Sequence, residues 1–187
     1  MTARAPVYRH KAWWHVCAAL LLAALACIGP RAMAASWHDE VPNAQMIGQG
    51  DMRWLGFNLY TAQLWSAEPQ VDTRKPFALV LNYHRRISRE QLVDASIKEM
   101  QRIGDISVDD QRLARWRGYM MQAFRDVGDG DQLIGVYLPG TGGRFYQRDA
   151  LLATIDDAEF ARAFFDIWLS PQAREPDLRR QLLGGAS

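Results

Sequence analysis

Two apolar-rich runs, residues 44–54 and 57–66, flank Leu55-Gly56. Strand side chains alternate between faces, so this spacing predicts a β-hairpin. A third run, FALVLNY from Phe77 to Tyr83, follows Pro76 and holds four core-type residues in a row, again the signature of a strand. The period then changes. Ser88-Arg89-Glu90-Gln91 is a capping box, in which the Ser88 hydroxyl and the Gln91 side chain satisfy each other's orphan backbone amides. The helix behind it carries Leu92, Ala95, Ser96, Met100 and Ile103 on one face, and Gly104 ends it. Asp109 or Asp110 caps a second helix, with Leu113, Trp116, Met120, Met121 and Phe124 inward. GDGDQ reads as a turn. LIGVYL (Leu133 to Leu138) and RFYQ (Arg144 to Gln147) form a second hairpin around PGTGG. Asp156 or Asp157 starts a third helix, with Phe160, Ala163, Phe164, Ile167 and Trp168 inward, and Pro171 stops it. Pro176 opens a short last helix holding Leu178, Leu182 and Leu183. Strand connections of hairpin type, without βαβ alternation, predict an α+β fold: an antiparallel sheet with helices on one face.

The first 34 residues stand apart from this pattern. Arg4, Arg9, His10 and Lys11 precede the apolar run AWWHVCAALLLAALACIG, and Ala32-Met33-Ala34 offers a small-x-small cleavage site. This is the layout of a secretory signal peptide, so residues 1–34 are expected to be removed and a single domain to span 35–187 in the periplasm. The alternative is an uncleaved membrane anchor. Both cysteines, Cys17 and Cys27, lie in that segment, so the mature domain is expected to have no disulfide, no Cys-metal site and no cysteine nucleophile. After cleavage no stable membrane insertion is expected.

Composition narrows the chemistry further. The formal net charge of +1 gives no electrostatic ground for nucleic acid or an anionic membrane as a partner. PGTGG lacks a following Lys-Ser/Thr and sits between strands, which makes it a hairpin turn and not a phosphate loop. Asp126, Asp129 and Asp131 miss the spacing of a calcium loop. The mature chain has only His38 and His84 and no G-x-S-x-G, which leaves no hydrolase triad. His84 with Arg85, Arg86 and Arg89 reads as a basic rim at a strand end. No cofactor and no metal site is expected.

The first hairpin holds the most specific chemistry. Gln49, Asp51 and Arg53 share one strand face, and Arg53 sits between Met52 and Trp54. A two-residue turn at Gly56-Phe57 would set Arg53 opposite Tyr60, and a three-residue turn would set it opposite Thr61. In either register an arginine, a hydroxyl and a carboxylate converge.

G-x-G-x-x-R (Gly48 to Arg53) followed by LYTAQLW, then KPFALVLNYHRRIS, LARW, GDQLIGVYLPGTGGRFY, FARAFFDIWL and LRRQLLG, resembles the bacterial chalcone isomerase-like family over nearly the whole mature chain. The resemblance implies an exported protein related in fold to plant chalcone isomerases and plastid fatty-acid-binding proteins. Its fold is an open-faced β-sandwich with the ligand cleft between sheet and helices. The family's strand arginine and threonine fall on Arg53 and Thr61. Its tyrosine position before the first helix holds Ile87, and its asparagine position holds Asp94, so only half of the polar network for an enolate is matched.

The leading expectation is therefore binding of a small amphipathic acid such as a fatty acid, without catalysis. Its carboxylate would lie on Arg53 and Thr61 with Tyr60 or Tyr83, and its tail near Met100, Trp116, Met120 and Phe124. A bidentate, charge-assisted contact is the reason to use arginine there. Two other readings stay open: an isomerase or intramolecular lyase acting on a chalcone-like substrate through Arg53 and Thr61, and an envelope interaction protein without ligand.

Overall fold

The computed structural model describes residues 36–104 and 110–185; the predicted signal segment and its cleavage site lie outside them. Every described element belongs to the compact unit Ala34–Ser187. In chain order these are α1 (Trp37–Glu40), β1 (Gln45–Trp54), β2 (Phe57–Ser66), β3 (Phe77–Tyr83), α2 (Arg89–Ile103), α3 (Asp110–Ala123), β4 (Gln132–Leu138), β5 (Gly142–Gln147), β6 (Ala150–Ile155), α4 (Ala158–Leu169) and α5 (Pro176–Leu182). The six strands pair antiparallel in sequence order, β1-β2-β3-β4-β5-β6. This is the α+β arrangement that the hairpin-like connections predict.

The strand β3 explains its own composition. Phe77, Leu79 and Leu81 face α2–α5, whereas Ala78 and Val80 face the other side, where Trp37 and Val41 from α1 and its C-cap cover Ile134, Val136 and Tyr146. A strand buried on both faces needs a continuous apolar run rather than alternation. The main core lies on the helical side, where Trp116, Met120, Phe160, Phe164 and Phe165 pack on the sheet. Ring pairs such as Phe145–Phe164, 5.2 Å apart and edge-on, fill it.

The local stop and start signals act as their chemistry requires. At α2 the Ser88 hydroxyl accepts from the Gln91 amide at 3.2 Å, and Gln91 returns the bond to the Ser88 amide at 2.9 Å. Gly104 ends the helix in the left-handed conformation. Asp157, not Asp156, caps α4, and its second carboxylate oxygen takes the indole N–H of buried Trp116 at 3.2 Å. GDGDQ closes as a turn through the Asp131 carboxylate and the Gly128 amide, 2.8 Å apart. Two elements go beyond the sequence reading: α1, capped by Ser36, and β6, which pairs with β5.

The helix α5 lies close against β1. A Cβ at Gly48 would sit 2.7 Å from the Leu182 carbonyl oxygen, closer than real side-chain carbons approach, so only glycine admits the helix here. This contact brings α5 to the margin of the site.

Candidate functional site

The register of the first hairpin decides where its chemistry faces. Its turn is Leu55-Gly56, with Trp54 paired to Phe57 and Arg53 to Asn58, and an irregularity between Met52 and Arg53 restores the pairs Met52–Tyr60 and Asp51–Thr61. Arg53 is therefore opposite neither Tyr60 nor Thr61. Met52, Tyr60, Ala62 and Leu64 turn toward the helices, while Asp51 and Thr61 turn the other way. The Arg53 side chain is 70% exposed and donates to the Asp51 carboxylate at 3.3 Å.

An arginine, a hydroxyl and a carboxylate do converge, then, but on the outer face of the sheet. The Thr61 hydroxyl donates to Asp51 at 2.8 Å and lies 2.9 Å from His84 Nε2. His84 Nδ1 in turn is 4.0 Å from the Asp129 carboxylate. The bond from Thr61, with that from Arg53, holds the Asp51 carboxyl below its ordinary value despite some burial. Thr61 has one proton, and it goes to the ionised Asp51. His84 Nε2 must then be the donor toward Thr61, so this Asp–His–Thr set contains no base aimed at a nucleophile. It ties β1, β2 and the end of β3 together at the surface.

An apolar concave site lies on the opposite face, between β1–β3 and helices α2, α4 and α5. Asp51, Arg53 and Thr61 border a separate, more polar depression with Glu175, Asp177 and Gln181. The apolar site is a cavity of about 380 Å³ walled by groups such as Leu81, Tyr60, Tyr83, Phe124, Phe164 and Trp168. The size is at the lower end for small-molecule sites. Tyr60 and Tyr83 stand edge-on, ring centroids 5.7 Å apart. The indole N–H of Trp168 donates to the Tyr60 hydroxyl at 3.1 Å. Burial pushes the Tyr60 phenol up to about 12, against the relief that the Trp168 bond gives its ionised form, and burial raises Tyr83 as well. Both phenols are thus neutral at physiological pH. No hydrogen bond contributes to the raised Tyr83 value, unlike that of Tyr60.

Charge is confined to one part of the lining. Lys98, Arg174 and Arg179 are its basic members and Glu99 and Glu175 its acidic ones. Burial pushes the Glu99 carboxyl up, but bonds from Arg174 and Arg102, at 2.6 and 2.8 Å, outweigh it and hold the group ionised. Arg179 donates to the Leu169 carbonyl at 2.8 Å. Lys98 is exposed and has no ion-pair partner among the described residues.

Of the residues singled out from sequence, the cavity brings together Tyr60, Tyr83 and Phe124. Arg53 and Thr61 are not among its walls, because strand alternation turns them to the opposite face. Met100, Trp116 and Met120 are buried in the core behind it and do not reach the cavity. Ile87 does line it, whereas Asp94 is outside and pairs with Arg117 at 2.6 Å. The sequence reading missed Lys98 and Trp168 as wall residues. Gln91, Ala95 and Lys98 are spaced as one helix face, which is a signal that a search for a polar stripe beside the apolar one would have caught.

The profile of the family described as chalcone isomerase-like matches residues 50–184. This chain belongs to that family. An uncharacterized protein of Haemophilus influenzae is 30% identical over 141 residues, covering 75% of this chain and 68% of that protein. Among solved structures, a fatty-acid binding protein of Arabidopsis thaliana superposes with a TM-score of 0.58 over 76% of this chain and 88% of its own, at 9% identity. That likeness is one of fold, and it bears out the open-faced antiparallel sheet with a helical layer.

Proposed function

We propose that this member of the chalcone isomerase-like family binds a small amphipathic acid in the cavity between sheet and helices and does not turn it over. The observation that carries this reading is the cavity itself: apolar walls of about 380 Å³, with charge restricted to a few side chains on α2 and around α5. An acyl tail fits such walls, and an acidic head has reason to stay where the cations are, since burying a carboxylate without a partner is heavily penalised. The head belongs beside Lys98, the one basic lining residue that is exposed and unpaired among the described residues, with Arg174 and Arg179 adding positive potential. The tail passes Tyr60, Tyr83 and Phe124. This moves the anion contact from Arg53 and Thr61, which lie on the other side of the sheet beside Asp51 and outside the apolar cavity.

Binding is favoured over ring closure for a related reason. An intramolecular addition needs a cationic or hydrogen-bonded network around the forming oxyanion, inside the cleft. Here the phenols are neutral and the arginine–threonine pair is outside. We further propose that the protein is exported to the periplasm, on the strength of the basic stretch, the apolar run and Ala32-Met33-Ala34. Amino-terminal sequencing of the protein from cells is expected to begin at Ala35, and an intact start at Met1 would refute cleavage.

Native mass spectrometry of the protein purified from cells tests the binding reading. A co-purifying acid is expected in the wild type and in Arg53→Ala. It is expected to be depleted in Lys98→Ala and absent in Ser96→Phe, which puts a ring into the cavity at the sole expense of a local hydroxyl bond to the Leu92 carbonyl. Empty wild-type protein, or full occupancy in Ser96→Phe, would overturn it.

A further inference from the structure

The tip of the first hairpin combines two features that the folded domain itself does not explain. Trp54, Leu55 and Phe57 are large apolar residues that are 53%, 81% and 53% exposed. Moreover, Leu55 adopts φ +49° and Gly56 φ +81°, the left-handed pair of a tight hairpin turn. Asparagine or glycine suits the first of these positions, whereas a leucine there is strained by its own Cβ. Here it is strained and contributes no burial in return. Backbone strain retained without a packing benefit points to a role outside the fold.

The surroundings of the tip say what it meets. The Arg85 guanidinium lies over the Phe57 ring, 4.4 Å from its centroid. Arg86 follows it and is also exposed, and neither has an ion-pair partner among the described residues. Arg53, 70% exposed, flanks the tip on the other strand. A small exposed group of tryptophan, leucine and phenylalanine bordered by arginines matches the chemistry of the headgroup–acyl boundary of an anionic bilayer. A protein partner would require a far broader complementary face. Trp54 also lines the cavity, so the tip adjoins it.

We propose that the β1–β2 tip docks the domain peripherally on an anionic membrane surface, with Leu55 and its aromatic neighbours in the interfacial layer and Arg53, Arg85 and Arg86 on lipid phosphates. This does not depend on which ligand the cavity holds, and it involves no membrane-spanning element: among the described residues no helix is long and apolar enough to cross a bilayer. The overall charge of +1 conceals the patch because acidic residues elsewhere balance it.

Co-sedimentation of the Ala34–Ser187 unit, which contains every described element and both cores, with vesicles of phosphatidylethanolamine and phosphatidylglycerol tests the proposal. The wild type is expected to sediment with these vesicles, far less with phosphatidylcholine alone, and less as salt rises. Leu55→Asn relieves the turn and removes the apolar tip, so it is expected to stay folded by circular dichroism while partitioning about tenfold more weakly or worse. Arg85→Glu is expected to lose the preference for the anionic vesicles. Wild-type protein that stays in the supernatant, or a Leu55→Asn variant that sediments equally well, would overturn it. Dimerisation of the wild type without vesicle binding, lost in Leu55→Asn, would overturn it too and assign the tip to a second copy.

Discussion

Tyr60 and Tyr83 occupy neighbouring places on one cavity wall, and the Tyr60 hydroxyl accepts a hydrogen bond from Trp168, which makes their phenylalanine variants a sharp comparison. In Tyr60→Phe the ring stays and the hydroxyl goes, leaving the Trp168 indole N–H, now 3.1 Å from a missing acceptor, in a side chain only 8% exposed. A lost hydrogen bond and a stranded buried donor together cost about 1–2 kcal/mol. For a domain of this size that lowers Tm by about 2–4 °C per kcal/mol. In Tyr83→Phe the hydroxyl removed is one on which no hydrogen bond acts, so stability is expected to change by less than about 0.5 kcal/mol. Urea unfolding of ligand-stripped protein at neutral pH reads both, with equal m-values confirming that the cavity has not collapsed in either variant. Equal losses, or a larger loss at Tyr83, would refute the hydrogen-bond assignment of this wall.

Further outcomes follow from the packing and the titration of the same region. Gly48→Ala would force the α5 backbone away from β1, and it is expected to destabilise by about 2 kcal/mol or more and to weaken cavity binding, as seen in unfolding curves and ligand titration. Gly118→Ala, on the exposed side of α3 with open space around it, is expected to stabilise by about 0.5–1 kcal/mol in the same assay. The buried phenols make stability fall in alkali. Because folding raises the Tyr60 pKa to about 12, the unfolded chain releases that proton first, so this contribution is complete below about pH 10 and is lost as pH rises toward 12. Tyr60→Phe is expected to flatten that loss in urea midpoints measured across the window.

Much of the fold was legible because the decisive signals were local. The Ser88–Gln91 box, Gly104 and Pro176 state helix ends in residues that act within one turn, and each acts as read. The strands β1 to β5 declared themselves through apolar runs bounded by turns. The four-residue α1 was too short to show a period and gains its meaning only when Trp37 reaches the outer face of the sheet. The half-exposed β6, ALLATI, is apolar but short, and its Ala and Leu residues suit a helix as readily as a strand.

The site was legible in part, and the reason is geometric. Which face Arg53 occupies depends on a turn placed at Leu55-Gly56 instead of Gly56-Phe57 and on an irregularity after Met52, neither of which hydrophobicity reports. Turn type alone set the expected neighbours, and a shift of one residue changes them all. Trp116, Met120 and Met100 share helix spacing with true wall residues, but depth behind the wall is a tertiary property. Conversely, Lys98 looked like any solvated helix cation until the cavity gave it a position. The arginines near Phe57 were read as a basic rim, which they are; only the structure adds the apolar tip beside them.

The location of the bound acid is the central claim, and a heteronuclear NMR titration of ligand-stripped protein with a long-chain fatty acid addresses it directly. Saturable shifts are expected at the Trp168 indole N–H and at the amides of Tyr60, Tyr83, Ser96 and Lys98, while Asp51, Arg53, Thr61 and His84 on the outer face stay unmoved. Shifts confined to Arg53, Thr61 and His84, with a silent Trp168, would contradict the account.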